Sequence, residues 1–186
     1  IESILRQTYK RFELIIVDDE STDGSSEIIK SYKRKHRTKI QIIKTQRNLN
    51  GGGDMCANLG IERARGKYIA RMDADDISLP KRIAIQVSYM EKHPDVGVCG
   101  SFVKNIGKNA GHIGKYFTLP SEVKASLLFN TSLAHPSVIL RRAVFLQNNL
   151  RYDATFNPTD DYDLWVRASM LTNLVNIPKV LLLYRV

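Results

Sequence analysis

Phe12-Glu13-Leu14-Ile15-Ile16-Val17-Asp18-Asp19-Glu20-Ser21 is the stretch on which the fold turns. Residues 12–17 form a short, almost continuous apolar run rich in β-branched side chains. Such a run reads as a strand covered on both faces, the pattern of a parallel sheet. It ends in acids. Ser21, Thr22 and Asp23 then offer caps for a helix that carries Ile28, Ile29 and Tyr32 on one side.

The same unit recurs outward along the chain. Residues 1–11 read as the end of a helix, and residues 40–44 as a second strand. Residues 48–53 are a glycine-rich loop, followed by a helix with Met55, Leu59 and Ala64 facing inward and Gly66 at its end. Residues 67–72 are a third strand, with Asp73, Asp75 and Asp76 at its C-terminal end. Pro80 suits the first turn of the next helix, whose inward face carries Ile83, Val87 and Met90; residues 96–103 are a further strand. This alternation predicts an α/β, Rossmann-like fold with a mostly parallel central sheet flanked by helices and right-handed crossovers. The remainder is less regular. It holds a glycine-bearing excursion over 103–117, a helix over 120–129 and a strand over 136–140. A helix over 161–170, with Leu164, Ala168 and Leu171 on one side, and strands at 174–177 and 180–184 complete it. One domain is expected over 1–186, with a first half to about 102 and a second half from 103.

At 43% hydrophobic and 25% charged residues the composition is that of a globular domain, which excludes a disordered or collagen-like chain. The longest apolar run, 180–184, is too short to span a bilayer. No basic-then-apolar leader opens the sequence, and Cys56 and Cys99 have neither a disulfide framework nor metal-ligand spacing. A reduced, cytoplasmic compartment is the expectation. The net charge of +9 points to a basic surface, and beyond that to nucleic acid, an anionic membrane surface or a phosphate-bearing substrate. The run Lys33-Arg34-Lys35-His36-Arg37 falls at a helix C-terminus, where it complements the helix dipole. No aromatic side chains beyond Tyr32 interleave with it, and no nucleic-acid motif is present.

The acids are not scattered. Asp18 and Asp19 sit where a buried strand meets a helix, the place where open α/β sheets bind ligands. Asp73, Asp75 and Asp76 repel one another unless a cation or hydrogen-bond donors offset their charge, and a hard divalent cation is the natural partner. Asp160, Asp161 and Asp163 precede an amphipathic helix that bears the only tryptophan, Trp165. One of them is a candidate general base facing the metal site, while Asp163 suits a helix N-terminus. His135, in His135-Pro136-Ser137, reads more readily as structural than as catalytic on chemistry alone.

The order of these motifs resembles the family 2 glycosyltransferases, inverting sugar transferases with a nucleotide-binding fold of the GT-A type. The resemblance runs through Gln7-Thr8-Tyr9, the stretch 12–19, Ser21-Thr22-Asp23, Asn58-Leu59-Gly60-Ile61 and Ala64-Arg65-Gly66-Lys67-Tyr68-Ile69. Its most specific part is Arg71-Met72-Asp73-Ala74-Asp75-Asp76, followed by Leu79-Pro80 and Arg82. His135-Pro136-Ser137-Val138 and Asp160-Asp161-Tyr162-Asp163-Leu164-Trp165 complete it. The resemblance implies that Asp18 or Asp19 binds the base of a nucleoside diphosphate, usually uracil. It implies that Asp73 and Asp75 are the DxD acids, the first near the ribose or phosphates and the second on Mn²⁺ or Mg²⁺. Asp161 matches the base that deprotonates the acceptor hydroxyl; the position before it is usually Glu and here is Asp160. Arg71, His135, Asp160 and Trp165 would line the donor or acceptor region. The implied donor is a UDP-sugar and the implied acceptor a saccharide or lipid-linked glycan, with no nucleic acid. The basic surface would allow peripheral contact with the inner face of a membrane. The family usually opens with a further strand and continues past the counterpart of Val186, so the resemblance also implies a catalytic domain shortened at both ends.

Two rival readings remain open at this point. A phosphorelay receiver domain also places paired acids after a strand, as Ile16-Val17-Asp18-Asp19-Glu20 does, with Asp73 as the phospho-acceptor. The 55-residue interval is long for it, and Asp160 and Asp161 go unexplained. A basic nucleic-acid or membrane-surface module accounts for the charge and for none of the acids.

Overall fold

The computed structural model of the chain describes residues 1–46, 48–49 and 52–186. Helix α1 (Glu2–Leu5) leads into β1 (Leu14–Asp18), α2 (Ser25–Lys35) and β2 (Ile40–Lys44). Then come α3 (Gly52–Arg63), β3 (Tyr68–Ala70), β4 (Ile77–Ser78), α4 (Arg82–Lys92), β5 (Val96–Ile106) and β6 (Ile113–Gly114). The last part holds α5 (Pro120–Ser126), β7 (Ile139–Arg141), α6 (Arg142–Gln147), α7 (Asp160–Ser169) and β8 (Asn173–Arg185). Of the glycine-rich loop expected at 48–53, Asn50 and Gly51 lie outside the described residues, and Gly52 already belongs to α3.

The fold is α/β, but the mostly parallel Rossmann-like sheet is not what forms. β1 and β2 make a separate two-stranded parallel sheet, with Leu14 opposite Ile40 and Asp18 opposite Lys44. The main sheet runs β3-β7-β5-β8-β4, with β6 also on β5. Within it only β5 and β8 are parallel; the β3–β7, β5–β7, β4–β8 and β5–β6 pairs are antiparallel. The cause lies in the second half of the chain. After α5 it returns as β7 between β3 and β5, and it ends as β8 beside β5. An apolar run reports burial on both faces, not the direction of its neighbours. The two late strands expected at 174–177 and 180–184 are one strand. Ile177 pairs with Ser101 and Val180 with Phe102, so Pro178 and Lys179 sit in a register shift, where a residue without an N–H is tolerated.

One core cluster packs Val98, Leu140, Phe145, Leu164, Trp165 and Leu174 between the main sheet, α6 and α7. A second packs Met90, Cys99, Ile139, Val175 and Leu181 on the α4 side. Full burial of side chains of this size stabilises by about 1.5–3 kcal/mol each. Three buried polar side chains fix the loops between elements. Gln7 accepts from the Ile83 N–H at the start of α4, at 3.0 Å, and donates to the Leu79 carbonyl at 2.8 Å. It thereby caps a helix that has no side-chain cap of its own. Arg82 donates to the carbonyls of Arg71, at 2.7 Å, and Val138, and Gln86 to those of Cys99 and Ser137.

β1 is half-buried along Leu14–Val17 and not covered on both faces as its sequence suggests. A groove of about 1620 Å³, lined by Ile15 and Ile16 of β1 and by Ile69, Met72 and Ile83, separates the two sheets. The basic run begins in the last turn of α2, and its first member ties down the segment that follows. Lys33 Nζ donates to the carbonyls of Arg37 and Ile40.

Candidate active site

The site is assembled where the end of β3, the start of α3, the turn at 135–137 and the start of α7 meet. β3 stops at Ala70, and the acids that follow are held by neighbours on three sides. The Arg71 N–H continues the ladder to the Val138 carbonyl at 3.0 Å. Asp76 is buried and accepts from the Arg185 N–H at 2.8 Å; burial pushes its carboxyl up to about 6, against that hydrogen bond. Asp75 is exposed, and its carboxylate takes no hydrogen bond from a described residue. Asp73 is half-buried and ion-pairs with Arg71 Nη1 at 2.7 Å.

Arg71 is the hub of this side. Its side chain is only 11% exposed, and its Nη2 donates to Asp54 Oδ1 at 2.8 Å. Asp54, on the first turn of α3, is also 3.5 Å from His135 Nε2. Burial raises the Asp54 carboxyl to about 7; Arg71 opposes the rise, and the neighbouring Asp160 carboxylate reinforces it. His135 Nε2 lies 2.8 Å from the Tyr152 hydroxyl, and its Nδ1 lies 3.9 Å from Asp161 Oδ2. Burial, with the Arg71 charge adding, holds the His135 imidazole well below its ordinary value, so the ring is neutral at pH 7. Burial likewise raises the Tyr152 phenol.

Each of these side chains is pinned from behind. Asn58 on α3 clasps the backbone of Tyr152 twice, donating to its carbonyl at 2.8 Å and accepting from its N–H at 3.0 Å. Ser137 Oγ donates to the Ala134 carbonyl at 2.7 Å and accepts from the Ser101 N–H at 3.1 Å, which sets the turn carrying His135. Trp165 is fully buried with its ring edge-on to His135, centroids 5.8 Å apart. It lies beneath the site and not on its open face.

The acids of α7 divide by position. Asp161 accepts from the Tyr162 N–H at 2.6 Å and is partly exposed; burial raises its carboxyl, with that N–H opposing and the Asp160 charge adding. Asp160 is 3% exposed, and its Oδ2 has no hydrogen-bond partner among the described residues. Asp163 pairs with Arg167 at 2.6 Å, one helical turn on, which is the ordinary helix-surface role.

The acids after β1 stand apart from this network. Asp18 is 4% exposed and accepts from the Ser21 N–H at 3.1 Å and from the Ser26 hydroxyl; these donors hold its carboxyl low. Asp19 accepts from Thr45 Oγ1 at 2.7 Å and from the Leu49 N–H. Sequence reasoning passed over Asp54 and Tyr152. An acid on a first helical turn and a lone tyrosine in a loop carry no signal of their own. Among the described residues, no group of three or more His, Cys, Asp or Glu side chains is drawn together as a metal centre.

A model of the family described as glycosyl transferase family 2 matches residues 1–148. An uncharacterised glycosyltransferase of Methanocaldococcus jannaschii is 39% identical over 173 residues, which is 90% of this chain and 58% of that relative. Among solved structures, S. aureus TarS in complex with UDP superposes with a TM-score of 0.80 at 18% identity, over 100% of this chain and 55% of that one. A mannosyltransferase of Pyrobaculum calidifontis in complex with GDP-Man and Mn²⁺ superposes with a TM-score of 0.72 at 17% identity, over 98% and 51% of the two chains. The chain thus spans a little over half the length of these relatives.

Proposed function

The chain belongs to glycosyl transferase family 2 and has a GT-A-type fold, and from that premise we propose that it moves a sugar from a nucleoside diphosphate to an acceptor hydroxyl with inversion. A UDP-sugar is the donor and a saccharide or lipid-linked glycan the acceptor. One observation carries this reading. Asp73 and Asp161, far apart in sequence, are brought to the two ends of one chain of contacts: Asp73–Arg71 at 2.7 Å, Arg71–Asp54 at 2.8 Å, Asp54–His135 at 3.5 Å and His135–Asp161 at 3.9 Å.

The roles follow from the chemistry. A diphosphate leaving group departs with negative charge, while the acceptor hydroxyl is a poor nucleophile until its proton is taken. Asp161, partly exposed and with a raised carboxyl, is the base. Asp18 and Asp19 bound the pocket for the uracil, and Asp73 approaches the ribose and phosphates. Asp75 offers an exposed carboxylate that takes no hydrogen bond from the described residues, a hard oxygen donor that fits Mn²⁺ or Mg²⁺ held jointly with phosphates. A bound cation there supplies charge stabilisation to the departing diphosphate. Arg71, His135 and Asp160 border the donor and acceptor space, with Trp165 supporting them from below. No described helix is long and apolar enough to cross a membrane. The net charge of +9 suits contact with an anionic membrane surface that carries the acceptor.

Calorimetry of UDP with and without Mn²⁺, on this chain and on Asp75→Ala, tests the reading. Mn²⁺-dependent binding that is lost in the variant is expected. Silence of the parent chain toward UDP, GDP and TDP alike would overturn it.

A further inference from the structure

We infer that His135 is a positioning residue for the base, held by Tyr152 in the tautomer whose Nδ1–H faces Asp161. The inference rests on the reading of Asp161 as the base.

The argument is one of proton accounting. Tyr152 is 3% exposed, and its hydroxyl carries a single proton. Among the described residues, the group in hydrogen-bond reach of that hydroxyl is His135 Nε2, at 2.8 Å. A neutral imidazole has one N–H and one lone pair. If the N–H were on Nε2, the buried phenol would lose its acceptor and a lone pair on Nδ1 would face a carboxylate. If the phenol donates to Nε2, the N–H moves to Nδ1 and points at Asp161 Oδ2, 3.9 Å away. That arrangement pairs the buried phenol, whose unmade bond folding would disfavour, and leaves the ring N–H on the side of the Asp161 carboxylate. Asp54 does not compete for the ring. Its Oδ1 is 3.5 Å from Nε2, beyond a good hydrogen bond, and already accepts from Arg71 at 2.8 Å.

The scaffold prevents the ring from drifting. Asn58 fixes the Tyr152 backbone, Ser137 fixes the turn, and the rings of Tyr152 and Trp165 hold the imidazole at 5.3 and 5.8 Å between centroids. At 3.9 Å the pair is longer than a hydrogen bond, and the Nδ1–H acts on Asp161 as a nearby dipole. Catalytic hydrogen bonds are often long before a substrate binds. The Tyr162 N–H holds the other oxygen of Asp161 at 2.6 Å, which leaves the oxygen on the His135 side with lone pairs to take a proton.

The decisive measurement needs no substrate. In the ¹⁵N-labelled chain at pH 7, the Nδ1 and Nε2 shifts of His135 report which nitrogen carries the proton. The other three histidines are set aside by comparison with His135→Gln. The expected result is an Nδ1–H tautomer in the parent chain and an Nε2–H tautomer, facing Asp54, in Tyr152→Phe. An Nε2–H tautomer in the parent chain overturns the inference whether or not the variant folds. A kinetic comparison then tests the link to the base. The amide of His135→Asn overlays Nδ1 and keeps a donor toward Asp161; that of His135→Gln overlays Nε2 and does not. With the UDP-sugar that the parent chain turns over, the Gln variant loses about 10²-fold in kcat at unchanged donor KM, the scale of a misplaced catalytic group. The Asn variant recovers most of that loss. Equal losses in the two, or a loss confined to KM, would overturn it. A parent chain that turns over no donor sinks the transferase reading instead, and leaves the tautomer result standing.

Discussion

Arg71→Met removes the one guanidinium between Asp54 and Asp73 while keeping the length of the side chain, and its cost should depend on pH in a defined direction. Arg71 is 11% exposed, Asp54 18% and Asp73 36%. The half-exposed pair with Asp73 is worth about 1 kcal/mol or less. Taking the partner from a buried charge costs about 3–5 kcal/mol unless the stranded group neutralises itself. Asp54 can do so by binding a proton. Its folded-state value, about 7 with Arg71 present, already lies above the ordinary carboxylate value of the unfolded chain. A carboxyl raised in the folded state makes stability fall as pH rises, up to the folded value. In the parent chain that fall ends near pH 7. Without Arg71 the folded value climbs further, so the variant goes on losing stability where the parent has stopped, by up to about 1.4 kcal/mol per pH unit. At pH 5 Asp54 is protonated in both chains, and the difference shrinks to about 1 kcal/mol. At pH 8.5 it should reach about 3 kcal/mol. Urea unfolding followed by the fluorescence of Trp165, the single tryptophan and fully buried, measures both. A difference equal at the two pH values, or larger at pH 5, would refute the pairing of Arg71 with an ionisable Asp54.

Further outcomes follow from the same geometry. Burial pushes the Cys56 thiol up to about 11 and the Cys99 thiol up to about 12, so a thiol reagent at pH 8 should leave both unmodified in the native chain and react with both in denaturant. His135 is held below its ordinary value, so below about pH 6.5 the unfolded chain binds a proton that the native one refuses. The parent should therefore lose stability relative to His135→Gln by up to about 1.4 kcal/mol per unit of acidification, and parallel urea midpoints from pH 7 to pH 5 would contradict this. Amide hydrogen exchange should find β1 and β2, a two-stranded sheet beside the groove, opening at lower free energy than β5 and β8. Equal protection in the two sheets would show that the groove is closed in solution.

Most strand positions were legible, and their pairing was not. Residues 14–18, 40–44 and 96–106 are strands close to where apolar runs placed them, because burying such runs needs an extended or helical backbone whatever surrounds it. The direction of β7 was hidden. Val138, Ile139 and Leu140 look alike between parallel and antiparallel neighbours, and the strand antiparallel to both β3 and β5 arrives about 70 residues after β3. β4 was missed outright, since two residues beside an acidic turn make no pattern, although they pair with Leu182 and Leu183. Pro178 split β8 in the sequence because the register shift that accommodates it is a property of β5 as much as of β8.

The acids of the site were legible for a different reason, one that also limits what they reveal. A carboxylate at the end of a buried strand is conspicuous because little else explains it, and Asp73 stood out on that ground; acids at a helix start have an ordinary reading, and Asp161 was singled out by the family resemblance. Whether such a carboxylate is tuned depends on neighbours that only the fold supplies. Asp161 is raised first by burial and then by Asp160, which is 3% exposed and keeps one oxygen without a partner among the described residues. Asp160 is nearly closed off from solvent. It is well arranged to lift the proton affinity of the carboxyl beside it, which is what a base for a hydroxyl requires. Asp160 raises Asp54 in the same way from the other side. One buried carboxylate, adjacent in sequence to the proposed base and remote in sequence from Asp54, thus acts on both Asp161 and the group that anchors Arg71. Residue identities showed only two neighbouring aspartates; the division of labour between them comes from which one α7 turns inward.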